Sequence, residues 1–238
     1  MKVTFDSNVW RKIASPTKFP NDPSIEAYKK IRLSIEEGKL TAFLCETIFS
    51  LEAIQSSQRR KYISSKGQNY HVKLDFTNNP VLKKHFDDAC EIGFKIIRLS
   101  RMGGFINDDV EPIRFKLENE EFQKFHNSGS SIAKTIEKYK AGISWLKDIG
   151  LKYDSNNWIS GIINSPSIEE KSISKAVAEW ADGDSVATSI ALECDYLCTL
   201  DEAKGAGSTS IFSQVNLEWL KNDYGFKIIS PDDLAIKI

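Results

Sequence analysis

The sequence predicts an α/β fold in which a parallel sheet is covered by helices on both faces. Short apolar runs near the two ends of the chain, Val3-Thr4-Phe5 and Tyr196-Leu197-Cys198-Thr199-Leu200, read as strands. Each runs straight into an acid, Asp6 or Asp201, as strands do where their carboxyl ends line a ligand crevice. Between them, strand and helix patterns alternate in βαβα order. That order implies parallel pairing, with the connecting helices packed on the sheet.

The elements follow one another along the chain. Asp22-Pro23 offers an N-cap with proline at the first helical position, and Tyr28, Ile31 and Ile35 recur at helical spacing until Gly38 stops them. Leu40 to Leu44 reads as a second strand. Thr47 to about Arg60 reads as a helix with Ile48, Leu51 and Ile54 toward the sheet. Asn79-Pro80 opens another helix carrying Leu82, Phe86 and Cys90, and Gly93 leads into the strand Phe94 to Leu99. From about residue 100 to 174, polar turns separate helical pieces that carry Ile132, Ile136, Tyr139 and Ile143, a mainly helical insertion in one domain spanning 1–238. Ser167-Ile168-Glu169-Glu170 has a capping-box pattern, and a tight Asp182-Gly183-Asp184 turn opens a compact helix ending near Cys194. Phe226 to Ile229 reads as the last strand, and Ser230-Pro231 caps a terminal helix.

At 238 residues, 41% hydrophobic and 27% charged, the chain is long and apolar enough to bury a full core, which argues against disorder. A net charge of -1 excludes a strongly basic nucleic-acid binder, although Arg59-Arg60-Lys61, Arg98 and Arg101 are local phosphate candidates. Lysines and arginines at helix ends equally well complement a dipole. The four cysteines lie in apolar segments without paired spacing and read as buried free thiols. With no basic signal stretch and no long apolar run, the expected location is the cytoplasm, away from membranes. Trp145, Trp158, Trp180 and Trp219, set among Ile and Leu, read as core rather than as base-stacking surfaces.

Four acids recur within this frame: Asp6 after the first strand, Glu52 in the helix after the second, Asp184 in the first turn of the Ala-rich helix, and Asp201 after the strand that follows. Singly, each has a plain reading as an Asx-turn, a solvated helix residue, a helix-terminal charge or a polar turn. Jointly, in βα order and flanked by Ser7, Asn8 and Thr199, they read as a site. Glu46 and Asp182 are neighbouring acids that compete with Glu52 and Asp184 for the same places.

Phe5-Asp6-Ser7-Asn8-Val9, Phe49-Ser50-Leu51-Glu52-Ala53-Ile54, the Asp184 to Ala191 helix and Cys198-Thr199-Leu200-Asp201 resemble the four acidic motifs of PIN-domain nucleases. The resemblance covers about residues 1–60 and 175–238. It implies a three-layer α/β/α sandwich, Mg²⁺ or Mn²⁺ dependence and endoribonuclease activity on single-stranded or structured RNA. It implies a role as a toxin held by an antitoxin protein, or in RNA processing or repair, and it is compatible with a homodimer. The insertion is longer than in the small toxin-type members.

The chemistry has its own argument. Two carboxylates about 4 Å apart repel by roughly 4 kcal/mol at an effective dielectric near 20, so clustered ionised acids call for a cation. Oxygen-only donors favour Mg²⁺ or Mn²⁺, and His71, His85 and His126 all lie in the middle of the chain, away from the acids. Without a histidine base, the expected reaction is hydrolysis by a metal-activated water that leaves a 5′-phosphate. Asp6, Asp184 and Asp201 are then ligands, Glu52 a ligand directly or through water, and Ser7, Asn8 and Thr199 orient the carboxylates. Two other readings compete. A phosphatase with an aspartyl nucleophile, of the haloacid-dehalogenase kind, needs a second acid where this chain has Asn8, and a lysine for which no motif is evident. An inactive PIN-like binding module would retain acids whose repulsion destabilises the fold.

Overall fold

The computed structural model describes residues 1–48, 59–61, 63, 80–99, 117–201 and 210–238. In chain order the elements are β1 (Lys2–Phe5), α1 (Ser7–Ala14), α2 (Ile25–Glu36), β2 (Thr41–Cys45), α3 (Pro80–Glu91), β3 (Lys95–Ile97) and α4 (Asn119–Lys138). They continue with α5 (Ser144–Leu151), α6 (Trp158–Asn164), α7 (Glu170–Ala191), β4 (Tyr196–Cys198), α8 (Gln214–Tyr224), β5 (Ile228–Ile229) and α9 (Pro231–Lys237).

The five strands form one parallel sheet in the order β3-β2-β1-β4-β5. The chain steps outward from β1 through β2 to β3, then returns to the other flank of β1 with β4. The order therefore reverses between β1 and β4, where an open α/β sheet parts its connections and leaves a crevice beyond the strand carboxyl ends. Thr4 marks the register at this point, pairing with Phe43 of β2 and Leu197 of β4.

Strand alternation distributes the core into two layers. Val3, Phe5, Ala42, Leu44 and Ile96 point to one face, under Trp10 and Ile13 of α1, Tyr28 and Ile31 of α2, Phe86 of α3 and Leu234 of α9. Phe43, Ile97 and Leu197 point to the other, under Phe125, Ile132 and Ile136 of α4, Val186 and Ala187 of α7, and Leu220 of α8. With both faces buried, the strands read as continuous apolar runs, as parallel sheets do. The three layers are thus α/β/α. No helix among the described residues is long and apolar enough to cross a membrane. All four cysteines are free; Cys45 and Cys198 are buried, whereas Cys90 and Cys194 are only half-buried.

Several local readings change. Helix α2 begins at Ile25 with Ser24 at its N-cap, because Asp22 turns back to accept from the Ser24 amide at 3.0 Å and pairs with Lys12 at 2.8 Å. The capping box at Ser167 does not form: Ser167–Glu169 is a 3₁₀ turn, and the N-cap of α7 is Glu169, which makes no side-chain bond to the helix. The Asp182-Gly183-Asp184 turn is absent. Those residues lie inside α7, one continuous helix of 22 residues, so Asp184 is not in a first turn. Gly183 is present for packing: a Cβ there would sit 3.0 Å from Gly142 Cα, where the chain after α4 turns with φ +61°.

The insertion of about 100–174 also divides differently. α4 carries part of the main core, and the last residues of the range are the first turn of α7. Only α5 and α6 form a separate cluster, with Ile143, Leu146, Ile149 and Ile162 against Ile173, Val177 and Trp180 of α7. The helix expected over Thr47 to Arg60 falls mostly outside the described residues, Glu52 with it.

Candidate functional site

Two strand ends meet at the switch point. Asp6 directly follows β1, and its amide donates to Cys198 O at 3.0 Å, carrying the β1–β4 ladder one residue past the strand. It is also the N-cap of α1: Oδ1 accepts from the Ser7 amide at 2.6 Å. Thr199 directly follows β4, and its hydroxyl donates to Asp6 Oδ2 at 2.6 Å. The same hydroxyl oxygen accepts from Asn8 Nδ2 at 3.3 Å and from the Asp201 amide at 2.9 Å. Asn8 Oδ1 in turn accepts from the Leu200 amide at 3.1 Å.

A hydroxyl has one proton and two lone pairs. Two N–H donors fill the lone pairs of Thr199, so its proton must point at Asp6. The network therefore presents Asp6 as an acceptor on both oxygens. Asp6 is nevertheless only 4% exposed. Burial pushes its carboxyl above the ordinary carboxylate range; the Thr199 and Ser7 donors pull it partly back, and the Asp201 charge pushes it up again. Such a carboxylate gains from a nearby cation.

Thr199→Val should therefore destabilise the protein by about 1–3 kcal/mol, because it orphans the Asn8 amide and Asp201 N–H and strips Asp6 of a donor. Thr199→Ser should cost less than about 1 kcal/mol. Urea titration measures both, and equal losses would contradict the hydroxyl-centred account.

Helix α7 supplies the next acids. Asp184 is 1% exposed, and its Oδ2 accepts from Trp180 Nε1 at 3.0 Å, one turn earlier on the same face. One turn later Thr188 donates to Cys45 Sγ at 3.3 Å. Burial, and then the Asp184 charge, push the Cys45 thiol up to about 11. Asp184 thus lies beside the carboxyl end of β2, where Glu46, 2% exposed, donates its amide to Ile97 O at 2.9 Å. Asp182 is two residues from Asp184, roughly 160° round the helix, and it shares a face with Glu179.

Glu179 was not legible as a site residue. Its Oε2 accepts from the Ile211 amide at 3.1 Å, and burial followed by the Asp201 charge raise its pKa. The only hint in the sequence is the i, i+3 spacing to Asp182, which a solvated helix face would show as well.

The structure thus gathers Asp6, Ser7, Asn8, Thr199 and Asp201 at the β1–β4 switch point, and sets Asp184 by the end of β2. Among the described residues no group of three or more His, Cys, Asp or Glu side chains is placed to hold a metal ion. The donor type still suits Mg²⁺ or Mn²⁺. His85 is bound to Ser15 Oγ at 3.2 Å and His126 stacks on Phe122, while burial raises the Cys45 and Cys198 thiols, so among the described residues no soft ligand competes there.

Of the basic residues read from the sequence, Arg59 and Arg60 make structural bonds, whereas the buried Nε of Arg98 has no hydrogen-bond partner among the described residues. Arg59 Nη1 donates to Ser174 O at 2.6 Å, and Arg60 donates to Ile163 O at 3.1 Å and to Ser165 O, capping the carbonyl end of α6. Arg101 lies outside the described residues. Trp180 and Trp219 are core, and Trp145 and Trp158 pack against it half-buried. No protein-family model matches this chain, and no curated protein matches it either.

Proposed function

We propose that this chain is a PIN-like, metal-dependent endoribonuclease of the cytoplasm, hydrolysing phosphodiester bonds at the β1–β4 switch point. The observation that supports it most is the joint placement of Asp6 and Asp201 at adjacent strand ends around the Thr199 hydroxyl, with Asp6 buried and its pKa raised. A buried carboxylate under that strain costs stability unless a cation or proton neutralises it. In this reading Asp6 and Asp201 hold Mg²⁺ or Mn²⁺, with Asp184 and either Glu46 or Glu52 completing the acidic set. A bound divalent ion would lower the pKa of a water and neutralise charge on the scissile phosphate.

The chain's own residues do the positioning. Thr199 and the Ser7 amide fix both Asp6 oxygens, and Asn8 locks the 199–201 turn that presents Asp201. Trp180 holds the Asp184 carboxyl. The biological role, as a toxin bound by an antitoxin or as a processing or repair enzyme, belongs to the same proposal.

Incubating the full chain with 5′-labelled single-stranded RNA tests it. Cleavage should require Mg²⁺ or Mn²⁺, stop in EDTA, and leave 5′-phosphate ends. Cyclic phosphate ends, EDTA-resistant cleavage, or no cleavage with either metal would overturn the reading.

A further inference from the structure

The crevice has an aromatic neighbour that the proposed chemistry does not use. The Tyr139 ring stacks on Trp219 with centroids 4.2 Å apart and planes 11° from parallel. Trp219 is 9% exposed and held by its own bond to Asn216 at 2.9 Å, whereas Tyr139 is 47% exposed. One ring is core; the other covers it and faces outward. A Schellman turn fixes the outer ring: the Lys140 amide bonds Glu137 O at 3.0 Å and the Ala141 amide bonds Ile136 O at 3.2 Å, with Lys140 left-handed at φ +62°.

The same turn abuts the acids. Three residues beyond Tyr139, Gly142 packs against Gly183, the residue between Asp182 and Asp184. Three residues span at most about 10 Å, so the backbone of Tyr139 lies near that stretch of α7. On its Trp219 side the contact continues toward Asp201: Asn216 bonds Ser210 O at 2.7 Å, and the next residue, Ile211, bonds Glu179.

Outside those acids, the turn's own charge is balanced or positive. Glu137 is paired with Lys147 at 2.5 Å and Asp148 with Lys140 at 3.7 Å. Lys134 and Lys138, one turn apart and exposed, make no ion pair among the described residues.

We propose that the outward face of Tyr139 is a stacking platform for a base of single-stranded nucleic acid, with Lys134 and Lys138 on the adjoining phosphates. The proposal rests on the nuclease reading and names its substrate form. An unpaired base offers a π-face to a rigid aromatic ring, whereas a duplex keeps its bases stacked on one another. Trp219 pre-orients the ring, so little freedom is lost on binding.

The test is fluorescence anisotropy of a labelled 12-nucleotide RNA with the full chain in EDTA, where no cleavage is expected. Tyr139→Leu, which keeps an apolar cover over Trp219, should weaken binding roughly 5- to 100-fold, and Tyr139→Phe should stay within about twofold of wild type. Lys138→Gln should lower the slope of log affinity against log salt by about 0.7. Oligonucleotides carrying one abasic nucleotide, probed with the wild-type chain, should show one position whose loss matches that of Tyr139→Leu; this arm does not depend on the variant folding. Wild-type cleavage of RNA together with unchanged binding by Tyr139→Leu and no sensitive abasic position would sink the platform alone. A wild-type chain that neither binds nor cleaves the RNA would sink the nuclease reading and the platform with it.

Discussion

Asp6→Asn is expected to lower RNA cleavage by roughly a thousandfold or more, the scale on which losing one preorganised electrostatic group costs a site, while the protein stays folded. The substitution keeps the shape of the side chain and removes its charge. It also places an N–H₂ where one of two donors, the Ser7 amide or the Thr199 hydroxyl, now points at an acceptor. Activity is therefore lost through both charge and orientation.

The pH dependence of stability carries the same prediction in a second form. Burial raises the Asp6 carboxyl in the folded chain. Its neutral form is favoured by folding, so this stabilisation is complete below the unfolded value near 3.9 and is lost as pH rises through the raised folded value. Without divalent metal, wild type should lose stability across that window, and Asp6→Asn should lack that component. Thermal melts in EDTA from pH 4 to 8 measure it. Parallel profiles for the two proteins would show that Asp6 is not the strained carboxylate.

The strand ends were the most legible part of this chain. Asp6 and Asp201 stand where an apolar run stops and polar cap residues begin, and both strands end within two residues of the predicted point. Thr199 was legible as a neighbour, but its role is not a property of local sequence. It depends on Asn8 and Asp6, which only the β1–β4 pairing brings to it. Helix α7 misled for a physical reason: Asp-Gly-Asp is turn chemistry, and the packing that requires glycine lies on Gly142, far away in sequence. α1 and α8 were not anticipated. In α1, Val9, Trp10, Ile13 and Ala14 do fall at helical spacing, but in a run of only eight residues directly after the strand, and Trp10 and Ile13 show their purpose only against β1 and α3.

The same distinction applies to the choice among acids. The sequence favours Asp184 over Asp182 on motif spacing alone. On one continuous helix they occupy opposed faces, one with Glu179 and the other with Trp180 and Thr188. Asp184→Asn should therefore behave unlike Asp182→Asn. The sequence reads the insertion as helical, yet α4 is one of the layers over the sheet, because Phe125, Ile132 and Ile136 meet Ile97 and Leu197 only after folding.

Metal-linked stability tests the central claim most directly, since it reads the acidic site without any assumption about substrate. If Asp6, Asp184 and Asp201 share a divalent ion, relief of their repulsion is available only to the folded chain. At Mn²⁺ about 100-fold above Kd the gain is about 2.7 kcal/mol, which for a chain of this size raises Tm by roughly 5–10 °C. Calorimetric melts in EDTA and in excess Mn²⁺ should show that rise for wild type and little or none for Asp201→Asn. The same Tm in both conditions for wild type, or an equal rise in the variant, would contradict a metal site built from these acids.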